Sequence, residues 1–550
     1  MSALTRPAVV LAMTLALAAA GTPRSAGLDE IPHRSGAGVR AVADGARAKT
    51  PREATTVLTG ATAEELALTA SATLFDHAPL VLLAAAGEPD AQGAAAPFAA
   101  RLGAPLLLTP AMASTDDALT RELDRLGVRS LLTFGAAPRQ WSVASGGDWE
   151  VVTAPAAATE IVGVPAAAQG AGDDGPLVGS QDGPAPLVGE EKATPVSRLG
   201  QRELLATEPA GAVLVLASSD EANLAATATA RGSGASVHVL AVPDPRSDSG
   251  VIADLANKPA RPVVALGADF GSPEQLRLRI DTAATGLELP GGGQLLFPGR
   301  RMVALYGTPG SAALGVLGEQ PLEATLARAK RVAADYAPLS DVPVVPALEI
   351  IATVASSDPG GDGNYSSEGS VERLQPWVEQ AGAAGIYVVL DLQPGRTDFL
   401  TQAQRYEELV ALPNVGVALD PEWRLRAGQR HMAQTGSVGI GEVNEVVTWL
   451  ADLTRERKLP QKLLIVHQFR LSMIAGRESL DTSREELAIV IHVDGNGSPP
   501  LKQRTWRTLT ASPPAGSWLG WKNFYDEDTP MLTPTETMAV RPTPFFISYQ

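Results

Sequence analysis

Between residues 301 and 549 the chain carries eight short apolar runs, and any fold must find a place for all of them. They are RMVALYG, VPVVPALEIIATV, IYVVLDL, VGVALD, KLLIVHQ, LAIVIHVD, SWLGW and FFISY. Helical stretches such as SVERLQPWVEQAGAAG, FLTQAQRYEELVAL and GEVNEVVTWLADLTRERK separate the middle ones. Eight strand-helix units in about 250 residues describe a (β/α)8 barrel. A doubly wound open sheet is the alternative architecture for residues 294–550.

The first half alternates in the same way. From Thr56 to Gly135 the apolar runs TVLTG, APLVLLAAAG, APLLLTP and SLLTFG are spaced by helical stretches, and the pattern resumes at AVLVLASSD, SVHVLAV and PVVALGADFG. Strands alternating with helices of this length imply a parallel sheet covered on both faces. In STDDALTRELDRLGV, Ser114 or Thr115 caps a helix, Asp116 and Asp117 suit its positive end, Leu119, Leu123 and Leu126 form its buried stripe, and Gly127 stops it. The expected regions are α/β at 27–153, a linker rich in Ala, Gly, Pro and acid at 154–205, and a second α/β unit at 206–290.

Composition narrows the function. Hydrophobic residues make up 45% of the chain and aromatics only 5%, so the interior is built mainly from Ala, Val and Leu. The net charge of -17 argues against nucleic acid, whose phosphates draw on clustered Lys and Arg. At the start, Arg6 precedes an apolar run from Ala8 to Ala20. That run is shorter than the ~20 residues a bilayer requires, and it matches a signal peptide over 1–26 followed by small residues, with cleavage after Ala20 or Ala26. The expectation is a secreted, extracellular protein with no transmembrane segment once the leader is removed. Without a single cysteine, the chain has no disulfides, no thiol catalysis and no thiolate metal site.

Two segments resemble a known family. In LTASATLFDHAPLVLL and LGAPLLLTPAMASTDDALTRELDRLGVRSLLTFG, an acid-Ala-Leu helix leads to an Ala-Pro-hydrophobic strand, a helix, Leu-Gly-Val and a strand ending in Gly. This resembles the cell-wall-binding repeats of Gram-positive surface proteins over residues 34–140, and more faintly over 210–270. Ala78-Pro79 and Ala104-Pro105 stand at the strand starts, Glu65 takes the place of the usual aspartate, and Leu126-Gly127-Val128 matches the last turn. The family's opening arginine, glycine and aromatic signature survives only as RSGAGVRAV, and no clear third repeat follows. The resemblance implies non-covalent attachment to an anionic cell-wall polymer.

A barrel gathers its working residues at the carboxyl ends of its strands. On that rim the sequence places Asp391 after the third strand, Asp420 and Glu422 after the fourth, His467 and Gln468 after the fifth, His492 and Asp494 around the sixth, and Lys522 after the seventh. The acidic turn Asp526-Glu527-Asp528 follows. Two or more carboxylates on one rim are what glycoside hydrolysis requires. Glu422 is the candidate acid/base, with Asp420, Asp391 or Asp494 as partner. Asp420 and Glu422, two apart on an extended chain, point the same way and raise each other's proton affinity. Their Asp-x-Glu is similar to the end of the chitinase-like glycosidase signature, in which the glutamate is the acid and the aspartate orients an N-acetyl group; the signature's earlier aspartate falls at Ala418. His467, Gln468, His492, Trp423, Trp521 and Lys522 are the expected substrate contacts, and Trp518 joins the tryptophans that could stack on a sugar. No His-x-His or His-Glu-x-x-His spacing occurs, so neither a metal nor another cofactor is expected. The other reading is a non-catalytic surface protein: an open rim with paired carboxylates favours hydrolysis, an ion-paired rim favours binding.

Overall fold

Alternation along a strand sends successive side chains to opposite faces, and in a closed barrel one of those faces is the interior. The computed structural model describes residues 45–110, 118–154 and 212–550. The expected leader, the capping residues Ser114 to Asp117 and all but the first residue of the linker lie outside them. Eight parallel strands form the barrel: Arg301–Gly307, Val344–Ala355, Tyr387–Leu392, Val415–Leu419, Lys462–Gln468, Leu487–Val493, Trp518–Asn523 and Phe546–Tyr549. Each pairs with the next, and the last returns to the first with Phe546 opposite Met302. All eight apolar runs are strands of this barrel, so the closed form, not the open sheet, is the architecture.

The two faces of the strands build two cores. Met302, Ala304, Val345, Ala347, Val389, Ala418, Ile465, Val490 and Phe546 pack inside the barrel, and Leu289, Leu296 and Phe297 join them from the segment that precedes the first strand. Leu305, Leu348, Leu390, Leu419, Val466, Ile491 and Ile547 face the surrounding helices, among them Val371–Ala383 and Ile440–Glu456. Trp518 packs with that preceding segment, its ring 5.5 Å from Phe297 and 4.7 Å from Phe545. It begins its strand, at the end of the barrel away from the rim where the sequence reading set it.

The first half holds two four-stranded parallel sheets. One has the order Leu106–Thr109, Leu80–Ala85, Ser130–Phe134, Glu150–Thr153; the other has Thr55–Leu58, Val263–Leu266, Leu214–Ser218, Ser236–Leu240. The strand Thr55–Leu58 therefore pairs with a strand some two hundred residues later, Thr55 opposite Val263, and not with the strand that follows it. The two sheets share one core that runs from Leu82 and Leu107 through Ala226 to Val264. Thr229, in helix Leu224–Gly232, closes the contact by donating to Leu106 O at 2.9 Å and accepting from Leu106 N at 3.0 Å. At Gly232 a Cβ would lie 2.4 Å from Ala104 O, so only glycine allows this approach. The helix Pro273–Ala283, which follows the second sheet, reaches the barrel through Arg279 and Glu485 at 2.6 Å, with Arg246 bound to Asp244 at 2.8 Å beside them. Among the described residues no helix is long and apolar enough to cross a membrane.

Candidate active site

The apolar layers of the barrel interior give way to a polar layer at the carboxyl ends of the strands. By alternation from Ala304, Ala347, Val389, Ala418, Ile465, Val490 and Phe546, the next inward residues are Tyr306, Glu349, Asp391, Asp420, His467, His492 and Ser548. All seven are buried, and Lys522 joins them with its Nζ 3.4 Å from the centre of the Tyr306 ring. His467 is the hub: Nδ1 is 3.1 Å from Asp494 Oδ2, Nε2 is 2.9 Å from Glu349 Oε1, and Asp391 Oδ1 lies 3.8 Å from Nε2. Tyr306 donates to Asp391 Oδ2 at 2.8 Å and receives Gln393 Nε2 at 3.3 Å. Ser548 Oγ is 3.2 Å from His492 Nε2. Gly520 makes room for this layer, since a Cβ there would meet the His492 ring at 2.7 Å.

Burial and mutual charge set the protonation states. Burial disfavours a charged His467, but Glu349, Asp494 and Asp391 outweigh it and hold the imidazole protonated well above its usual range. Burial and the neighbouring His467 charge keep His492 neutral. Asp494 resists the upward push of burial through its bond to His467 and stays below the usual carboxylate range. Burial raises Asp391 to about 6, with His467 opposing and Glu349 adding. Burial, then the Asp494 charge, raises Glu422 to about 7. Burial, then Glu422, holds Asp420 well above the ordinary carboxylate range.

Above this floor is a cavity of ≈ 380 Å³ lined by Asp420, Glu422, Trp423, Asp494, Lys522 and Glu527, among others. Asp420 and Glu422 reach it together, though not from an extended chain. Pro421 fixes the backbone for a short 3₁₀ turn, Pro421–Trp423, and that turn carries Glu422 over the rim. Trp423 is half-buried on the wall, its ring 5.3 Å from His431.

Two expected contacts point elsewhere. Gln468 accepts from Arg477 Nη1 at 2.8 Å and donates to Arg470 O, outside the mouth. Trp521 is buried against Trp506 of helix Pro499–Thr510, ring centres 5.4 Å apart, in the helix-facing core. Neighbouring residues on a strand cannot both face inward: His467 and Lys522 take the mouth, so Gln468 and Trp521 are turned away. Conversely Glu349 and Tyr306 belong to the site, yet they sit inside their apolar runs, not at the ends. The signal for Glu349 was a lone carboxylate within VVPALEII; buried charge needs a partner.

No protein family matches this chain, and no curated protein does. Among solved structures, Cwp6 from Clostridium difficile is 14% identical over 56% of this chain and 64% of its own, with a TM-score of 0.28. Cwp8 from Clostridium difficile is 13% identical over 67% of this chain and 49% of its own, with a TM-score of 0.18. The chain thus spans less than two thirds of either neighbour, and likeness at this level carries nothing about activity.

Proposed function

We propose that this protein is an exported, wall-associated glycoside hydrolase in which Glu422 is the general acid and Asp494 the ionised partner. One observation carries the reading: two carboxyls on one cavity wall are driven apart in proton affinity, Glu422 up to about 7 and Asp494 below its ordinary value. That separation is what assigns acid and base roles in a pair of carboxyl groups. Asp420, kept protonated, adds a hydrogen-bond donor at the rim, and Trp423 a ring on which a sugar can stack. The substrate class is a glycan of the cell wall or its surroundings. The ion-paired His467 favours the alternative of a non-catalytic glycan-binding barrel.

The pH dependence separates these readings. The acid must carry its proton, so hydrolysis of a wall glycan holds at mildly acidic pH and falls about tenfold per unit once pH exceeds the Glu422 value of about 7. A rate that climbs through that value removes Glu422 from the role. Binding without turnover on a panel of wall glycans supports the barrel as a receptor.

Wall attachment rests on the repeat-like segments and is tested separately. Both the chain and anionic wall polymers are acidic, so contact runs through local basic residues or bridging cations and is screened by salt. The full chain sediments with isolated cell walls at low salt with divalent cations and is released at ~1 M salt, where the Debye length is about 3 Å. Failure to sediment at low salt ends the attachment reading and leaves the catalytic one standing.

A further inference from the structure

We propose that the floor of the barrel mouth binds one divalent transition-metal ion through Glu349, His467 and His492, with Asp391 beside them. The proposal stands whether or not Glu422 is an acid. One ligand atom from each of the three residues lies within 4.8 Å of the others, and all three residues are buried. Strand register produces this: His467 and His492 are directly opposite on adjacent strands. No spacing motif marks the site because its ligands come from separate strands.

A second observation points to a ligand. Glu349 Oε2 and Asp391 Oδ1 are fully buried and hydrogen-bonded to no described residue. Leaving such oxygens unpaired costs more than an ordinary hydrogen bond returns. Each imidazole also has an outer oxygen partner, Asp494 on His467 Nδ1 and Ser548 on His492 Nε2. Partners of that kind fix ring orientation and tautomer at metal sites. On the other side of the ring, His467 Nε2 faces Glu349 Oε1 at 2.9 Å and Asp391 Oδ1 at 3.8 Å. Two ligands of a tetrahedral ion with bonds of about 2.0–2.1 Å stand about 3.3 Å apart, between these values. Two imidazoles with carboxylates select zinc or a neighbouring first-row ion over calcium and magnesium, which take oxygen sets.

The test is calorimetric titration of zinc into the full chain after chelation. The expected result is saturable binding of one zinc per chain. Glu349→Gln and His492→Gln lower zinc affinity more than about 100-fold, and Ser548→Ala, a small change that acts through His492, lowers it about 10–100-fold. Glu422→Gln leaves zinc binding intact, which separates this site from the proposed acid. The proposal is overturned if the wild type shows no saturable zinc binding, if calcium binds equally well, or if Ser548→Ala and whichever ligand variants fold keep full affinity.

Discussion

Glu422→Gln lowers turnover of any glycan the wild type cleaves by about 10²–10⁴-fold, the usual contribution of a positioned general acid. The amide keeps the shape and much of the hydrogen bonding of the carboxyl but has no proton to transfer. Stability moves the other way. The folded-state value of Glu422 is raised from 4.5 to about 7, so folding holds its proton more tightly than the unfolded chain does. Its contribution to stability is complete below pH 4.5 and is lost as pH rises through about 7. Glutamine does not ionise, so the variant matches wild type near pH 4.5 and resists urea better at pH 8. The rate loss and the stability gain together separate a catalytic carboxyl from a structural turn. An unchanged turnover number, or a variant that unfolds in less urea at pH 8, would sink the assignment.

How much of this was legible in advance depended on whether a residue's place along a strand or its direction around the barrel decided its role. Position was readable. The boundaries of KLLIVHQ coincide with the strand Lys462–Gln468, and Asp391, Asp420, His467, His492 and Asp494 do gather at one mouth. Direction required a fixed reference for inward and outward. Once Ile465 is inward, His467 must be and Gln468 cannot be; once Lys522 is inward, Trp521 is sent to Trp506. The same parity brings in Glu349 two residues beyond Ala347 and Tyr306 two beyond Ala304, both hidden within apolar runs. In the first half, the pairing of Thr55 with Val263 was not legible because local periodicity says nothing about a partner so far along the chain.

The acidic turn shows why a row of like residues cannot be read as one feature. Of Asp526, Glu527 and Asp528 the first two are exposed, whereas Asp528 is buried beside Lys502, their charged atoms 2.7 Å apart. Asp528 Oδ1 also accepts from Gly497 N at 2.9 Å and Oδ2 from Phe524 N at 3.0 Å. It thereby ties the loop after Asp494 to the end of the strand that carries Lys522. Lys502 is 3% exposed, donates to Lys522 O at 2.6 Å and lies 5.0 Å from the ring centres of both Trp521 and Phe524. Asp528→Ala leaves that ammonium without its counter-charge in an aromatic pocket and removes the acceptor of two backbone N–H groups, at a cost of about 3–5 kcal/mol. Replacing both members, Asp528→Leu with Lys502→Met, removes the stranded charge and recovers part of the loss, because a buried pair exchanged for apolar groups is often close to neutral. The recovery stays incomplete, since Gly497 N and Phe524 N still lack their acceptor. Urea unfolding of the two variants decides the matter: a single variant within about 0.5 kcal/mol of wild type, the usual range for surface changes, would mean that the whole turn is solvated and that the mouth is held by something else.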